Sequence, residues 1–288
     1  MNKAFLFAAA AATLLLGAAA CAPVKLLNTI TPSGSFERDK DISYGNLARQ
    51  KLDIYRAASP RPDAPVLIFV HGGSWDSGSK NIYKFLGQGF TSEGFDVVIP
   101  NYRLYPDAMF PVMIEDTAKA IAFTASQFPG RDLVVMGHSA GAYNSLMALM
   151  RPEFYPGGTA AICKTIAGVV AFAPPTGIIP LKEEPFITIF PDRFTGADAP
   201  MNNAESIMPP VLFVHGQKDT TVYPQNSQRL AEKITARGGQ AVVKTYEDLD
   251  HIDVIKVTSK FFDGDASLKS DVIEFIGNLR TGGENFCR

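Results

Sequence analysis

The sequence Gly137-His138-Ser139-Ala140-Gly141 sets a serine between two glycines. It follows an apolar run at 132–136 and precedes residues 142–150, which read as a helix. In a strand, sharp turn, helix arrangement the glycines let the backbone bend tightly, and the serine hydroxyl at the apex is pushed out as a nucleophile. A plain Gly/Ser connection is the alternative, so the rest of the chain must supply what a nucleophile needs. Serine attacks a carbonyl only when a base removes its proton and a third group orients that base. Four histidines are available. His71, His138 and His215 each end or follow an apolar strand, where a histidine packs or bonds to backbone. His251 instead sits in a polar turn, Glu247-Asp248-Leu249-Asp250-His251, after the last strand. The orienting acid is expected earlier in the chain, and Asp219 follows the apolar run at 211–214 in a loop. Asp248, Asp250 and Asp253 compete with it, but they are too close in sequence to reach the His251 ring from the correct side and read as solvated.

A tetrahedral intermediate needs fixed hydrogen-bond donors for its oxyanion, and backbone N–H groups serve best because they need no reorganisation. The N–H of Ala140, just after the nucleophile, is one candidate. The loop His71-Gly72-Gly73-Ser74-Trp75 supplies Gly73 and Ser74 as the others, with Gly72 serving the bend. These groups must be carried to one place by the ends of several strands. Residues 66–70 form a continuous apolar run, as expected of a strand covered on both faces, and end directly in that loop. Further strands are expected at 96–100, 132–136, 166–172, 210–214 and 241–246, and an antiparallel edge hairpin at 42–44 and 50–55 around Gly45-Asn46. Helices are expected at 81–92, 111–128, 223–237 and 268–280. Strands alternating with helices on this spacing predict an α/β fold with a mostly parallel eight-stranded sheet and helices on both faces.

The 288 residues fit one domain, and a net charge of −2 gives no electrostatic case for nucleic acid or an anionic membrane surface. The expected partner is a small-molecule substrate, and neither histidines nor cysteines have metal-ligand spacing, so no metal is expected. Residues 1–20 carry Lys3, a short apolar core and Gly17-Ala18-Ala19-Ala20 ahead of Cys21, which reads as a secretory signal peptide. Small residues ending in cysteine resemble the bacterial lipoprotein signal, with Cys21 as the lipidated N-terminus. Ala18 departs from that pattern's usual larger aliphatic, and plain cleavage is the alternative. Ala22 fits outer-membrane sorting, so the expected location is an exported, lipid-anchored envelope protein, otherwise periplasmic or secreted. Residues 21–40 read as a tether. Cys163 and Cys287 remain, and their pairing stays open. Residues 173–208 lack clear periodicity and are rich in proline, which suits a lid or cap over a pocket in the domain at 41–288.

From about Val66 to His251 the chain resembles the carboxylesterase-like α/β-hydrolases related to hormone-sensitive lipase, in the branch with H-G-G-x-W at the oxyanion loop. Asn101-Tyr102-Arg103-Leu104-Tyr105-Pro106, Phe110-Pro111 and Glu115-Asp116 match that group's segment between oxyanion loop and nucleophile. Arg103 and Asp116 have the chemistry to pair behind the loop. The resemblance implies hydrolysis of esters of small acyl groups, without metal or cofactor. Ser74 at the variable position leaves a second substrate class open, since related H-G-G-x-W sequences include kynurenine formamidase-like amidases; export favours the ester. A binding lipoprotein that merely retains the fold is the non-enzyme alternative.

Overall fold

A computed structural model describes residues 24, 26–177, 183–190, 199–204, 208–263 and 267–279. Eight strands form one sheet: β1 (Phe36–Ser43), β2 (Lys51–Ala57), β3 (Val66–Val70), β4 (Val97–Pro100), β5 (Leu133–His138), β6 (Ile166–Phe172), β7 (Val211–Gly216) and β8 (Ala241–Tyr246). Their spatial order is β1-β2-β4-β3-β5-β6-β7-β8. β1 and β2 run antiparallel to their neighbours, and from β4 through β8 every pairing is parallel. The helices are α1 (Lys84–Thr91), α2 (Val112–Gln127), α3 (Ala140–Met150), α4 (Gly158–Thr165), α5 (Phe186–Ile189), α6 (Pro200–Asn203), α7 (Gln225–Ala236), α8 (Asp253–Lys256) and α9 (Leu268–Asn278).

The period-2 alternation of a strand sends successive side chains to opposite faces, and each face of this sheet has its own core. Val66, Ile68, Val70, Leu133 and Val135 pack with Met113, Ile121, Leu146 and Leu230 of α2, α3 and α7. Leu67, Phe69, Val134 and Met136 pack with Phe85, Phe90, Val254 and Val272 of α1, α8 and α9. This is why β3 and β5 read as unbroken apolar runs: both of their faces are covered.

Two expectations change. Residues 36–40, expected within a tether, belong to β1, and Val24 and Leu27 ahead of them are buried in the core. The edge strand is anchored by ions: Lys80 Nζ donates to Asp41 Oδ1 at 2.6 Å and to Asp53 Oδ1 at 2.8 Å, while Arg38 pairs with Asp53. Charge on an edge strand leaves little hydrophobic signature, which is why the segment reads as a linker. The connection between β6 and β7, expected to lack regular structure, contains α5 and α6 within its described parts, 173–177, 183–190, 199–204 and 208. Thr176 Oγ1 donates to the Asn226 carbonyl at 2.7 Å, and Lys233 Nζ to the Met201 carbonyl at 2.7 Å, so these parts are docked on α7. Residues 1–20, Cys21 and Cys287 lie outside the described residues; Cys163, in α4, is disulfide-bonded.

Candidate active site

Ser139 stands between β5 and α3 with φ 52° and ψ −123°, a left-handed backbone that a serine adopts only where its surroundings enforce it. Its N–H donates to the Phe172 carbonyl at 2.9 Å and its carbonyl accepts from Tyr143 N–H at 3.0 Å, so both sides of the turn are fixed. The glycines have steric reasons. A Cβ on Gly137 would lie 2.6 Å from the Gly141 carbonyl oxygen, and one on Gly141 would lie 2.2 Å from that of Val70. The helix after the serine therefore passes against the end of β3, where the next loop begins.

That loop carries three consecutive residues at positive φ: Gly73 at 124°, Ser74 at 50° and Trp75 at 63°. It is held from inside by Asp76 and Ser77 N–H groups on the Gly73 carbonyl, at 3.2 and 2.9 Å, and by Tyr105 N–H on the Trp75 carbonyl at 2.9 Å. Gly72 rests on the nucleophile turn, since a Cβ there would meet Ser139 Cβ at 3.2 Å. Among the described residues no acceptor takes the N–H of Gly73, Ser74 or Ala140. Ala140 is the first residue of α3, and the first amides of a helix have no partner within it.

His251 and Asp219, 32 residues apart, meet where β8 and β7 end: His251 Nδ1 lies 2.7 Å from Asp219 Oδ2. Both are buried. Asp219 Oδ1 accepts Thr221 and Val222 N–H groups at 2.9 and 2.8 Å, and His215 Nε2 lies 3.3 Å from Oδ2. Burial by itself would raise the Asp219 pKa. The hydrogen bonds from His215 and His251, the charge on His251 and the Val222 amide outweigh it and hold the carboxyl well below the usual range. The carboxylate fixes the proton of His251 on Nδ1, leaving Nε2 as the basic nitrogen.

The other histidines bond to backbone. His71 Nδ1 donates to the Gly72 carbonyl at 2.8 Å, with its ring stacked on Tyr102 at 4.5 Å. His215 Nε2 lies 2.8 Å from the Val222 carbonyl and its Nδ1 2.7 Å from Ser227 Oγ. His138 Nε2 donates to the main-chain carbonyl of His251 at 2.8 Å, and the two rings lie 4.8 Å apart. Burial, reinforced by the charge of His251, pushes the pKa of His138 down to about 3, so it stays neutral with its proton on Nε2. A backbone bond is what the sequence leads one to expect of His138; its partner, 113 residues away, has no local signature. The competing acids are engaged elsewhere. Asp248 pairs with Lys218 at 2.7 Å, Asp253 with Lys256 at 2.5 Å, and Asp250 Oδ1 accepts Ile252 and Asp253 N–H groups at 2.8 Å each.

Arg103 and Asp116 do pair behind the loop, through Nε to Oδ2 at 2.7 Å and Nη2 to Oδ1 at 2.8 Å, with Gln50 Nε2 a further donor to Oδ1 at 2.7 Å. Over the loop, Trp75 meets Phe190 edge-on at 4.8 Å and Tyr143 at 5.2 Å. The described part of the β6–β7 connection thus covers the residue that follows Ser74. Among the described residues no group of three or more His, Cys, Asp or Glu side chains is arranged to hold a metal ion.

The chain has relatives among known proteins. The BD-FAE family model matches residues 52–234, more than half of the chain. The chain is similar to isoprenylcysteine alpha-carbonyl methylesterase ICME of Arabidopsis thaliana, with 24% identity over 242 residues, 75% of this chain and 56% of that protein. It thus spans little more than half the length of that relative. It is also similar to kynurenine formamidase of Salmo salar, 24% identical over 245 residues covering 82% of this chain and 81% of that one. Among solved structures it shares its fold with esterase B from Lactobacillus rhamnosis, with a TM-score of 0.75, 17% identity and 96% of each chain covered.

Proposed function

Because this chain belongs to the BD-FAE family of carboxylesterase-like α/β-hydrolases, we propose that it is a serine hydrolase cleaving carboxylic esters of small acyl groups. The observation that carries the reading is the 2.7 Å contact of His251 Nδ1 with Asp219 Oδ2, within one strand-end surface that also carries Ser139 at its left-handed apex. Ser139 Oγ attacks the ester carbonyl carbon while His251 Nε2 takes its proton. The carbonyl oxygen becomes an oxyanion and accepts the N–H groups of Gly73, Ser74 and Ala140. The intermediate collapses, the alkoxide takes the proton from His251 and leaves as the alcohol. Water then adds to the acyl-enzyme with His251 again as base, and the carboxylic acid departs with Ser139 restored. Asp219 holds the ring and stabilises the imidazolium that forms twice in each cycle.

A formamide substrate uses the same steps with an amine as leaving group, and the likeness to kynurenine formamidase supports that second reading. Hydrolysis of p-nitrophenyl acyl esters against N-formyl aromatic amines separates the two. Ser139→Ala is expected to abolish hydrolysis with the fold intact. Retained activity refutes the serine mechanism, and a parent protein inactive on both panels leaves the binding lipoprotein as the reading. We further propose an envelope lipoprotein anchored through Cys21, on the small residues that precede it. Cys21→Ser is expected to release the protein from the membrane fraction, and an unchanged distribution refutes the anchor.

A further inference from the structure

α3 is built from Ala, Gly, Leu, Met, Tyr and Ser apart from one amide, Asn144, which is fully buried. A buried amide in such a helix is destabilising unless its polar atoms are matched, and here only half are. Trp75 Nε1 donates to Asn144 Oδ1 at 2.9 Å, while Asn144 Nδ2 has no partner among the described residues. Leucine would fill the same volume with no unmatched donor, and phenylalanine would fill the Trp75 site among Tyr143, Phe186 and Phe190. What neither replacement supplies is the hydrogen bond itself.

The bond joins two places that matter to one reaction. Asn144 lies four residues after Ala140 and so on the same face of α3, one turn above that residue's free N–H. Trp75 directly follows Ser74 and closes the run of three positive-φ residues. Left-handed backbone at two non-glycine residues is unfavourable and persists where the surroundings over-determine it. Here the loop is fastened to the nucleophile helix by the backbone contact of Gly141 with Val70 and His71 at one end and by Trp75 with Asn144 at the other.

We infer that Trp75 and Asn144 are positioning residues that hold the Gly73 and Ser74 donors in register with the Ala140 donor, so that one oxyanion meets all three. The inference rests on the ester-hydrolase reading above. Removing a whole oxyanion donor lowers kcat by about 10²- to 10³-fold, and displacing two donors that remain present is expected to cost at least about tenfold. Trp75→Phe, Asn144→Leu and the double variant are compared with the parent for kcat and KM on p-nitrophenyl acetate, for Ki of a trifluoromethyl ketone, whose hemiketal oxyanion fills the site, and for thermal midpoint. Each single change is expected to lower kcat at least about tenfold with KM within about threefold, and to weaken the ketone by a factor similar to the kcat loss. The double variant is expected to be no worse than the weaker single, because the second change removes a partner already lost. A kcat within about twofold of the parent in Trp75→Phe, unchanged ketone affinity, or losses that multiply in the double variant would each overturn the inference. If Asn144→Leu does not fold, Trp75→Phe decides alone, since it keeps a ring in the aromatic cluster. A parent without Ser139-dependent hydrolysis brings down the functional reading instead, and that outcome is distinct from an active parent matched by its Trp75→Phe variant.

Discussion

Asp219→Asn changes one atom, and its consequence follows from which contacts survive. Oδ1 is held by two backbone N–H groups, from Thr221 and Val222, so the amide oxygen of asparagine is drawn to that side. The amide NH2 then faces His251 Nδ1, 2.7 Å from the atom it replaces, and donates to it. An Nδ1 that accepts a proton bond is unprotonated, so the neutral ring carries its hydrogen on Nε2, the nitrogen required to be basic. His215 Nε2, 3.3 Å from the same position, is itself a donor and opposes an NH2 there, but two shorter amide contacts at Oδ1 outweigh that single one. The imidazolium formed on attack also loses its buried counter-charge. In the serine triad used as a reference system, this exchange lowers kcat about 10⁴-fold with the geometry kept, which is about 5 kcal/mol of barrier. The assay is kcat and KM for p-nitrophenyl acetate, with a thermal melt to show that the fold is retained. Asp250→Asn is the paired control, and its two backbone hydrogen bonds at the carbonyl oxygen leave it close to the parent. If Asp219→Asn keeps more than about a tenth of kcat, or if Asp250→Asn is the damaging change, the assignment of the acid is refuted.

Gly72→Ala places a methyl 2.9 Å from the His138 carbonyl oxygen and 3.2 Å from Ser139 Cβ, so loop and nucleophile turn must separate. Hydrolysis is expected to fall by about 10²-fold, the scale of one lost oxyanion donor. Gly277→Ala in α9 meets nothing within 4 Å and is expected to raise stability by about 1 kcal/mol in a urea titration; inverted results would show the contact reasoning to be wrong. Burial drives the pKa of His71 down to about 4 and that of His138 to about 3, against 6.5 in an ordinary histidine. Below pH 6.5 the unfolded chain takes up protons that the native state refuses, so stability is full above that pH and declines as pH falls toward 4 and 3. Asp219, depressed in the native state, adds a loss of the same sign below 3.8, the ordinary value of an aspartate. Thermal midpoints are expected to be level from pH 7 to 8 and to fall steadily below pH 6.5. A level profile down to pH 4.5 would contradict the buried neutral histidines.

Some of this arrangement is legible in the residues because it is locally encoded. β3, β6 and β8 occupy the spans their patterns predict, since an unbroken apolar run or a strict alternation is itself the record of which faces are covered. The apolar runs also mark where strands end, which is how Ser139, Asp219, His251 and the Gly73 loop are expected together at strand ends. The end of β1 at Ile42-Ser43 lies in the expected edge hairpin, but residues 36–41 are hidden because a strand tied by Arg38, Asp41, Asp53 and Lys80 carries its stabilising contacts in charges that look like a solvated linker. α4 begins at Gly157-Gly158, residues that ordinarily mark a turn. The contacts of His138 with the His251 carbonyl and of Trp75 with Asn144 join residues 113 and 69 positions apart. A polar contact between distant residues leaves no period, so only the folded chain reveals it.

The connection from β6 to β7 joins two strands that lie side by side in register, Val169 opposite Val211 through Phe172 opposite Val214. Strand pairing fixes where that connection must start and stop, but not its length or content. Doubling a flexible loop costs only about 0.6 kcal/mol in closure entropy, so this segment can be rewritten while the strands that carry the serine, the acid and the histidine keep their places. What such a rewriting must keep is the aromatic contact of Phe186 and Phe190 with Trp75, because that residue closes the loop beside Ser139.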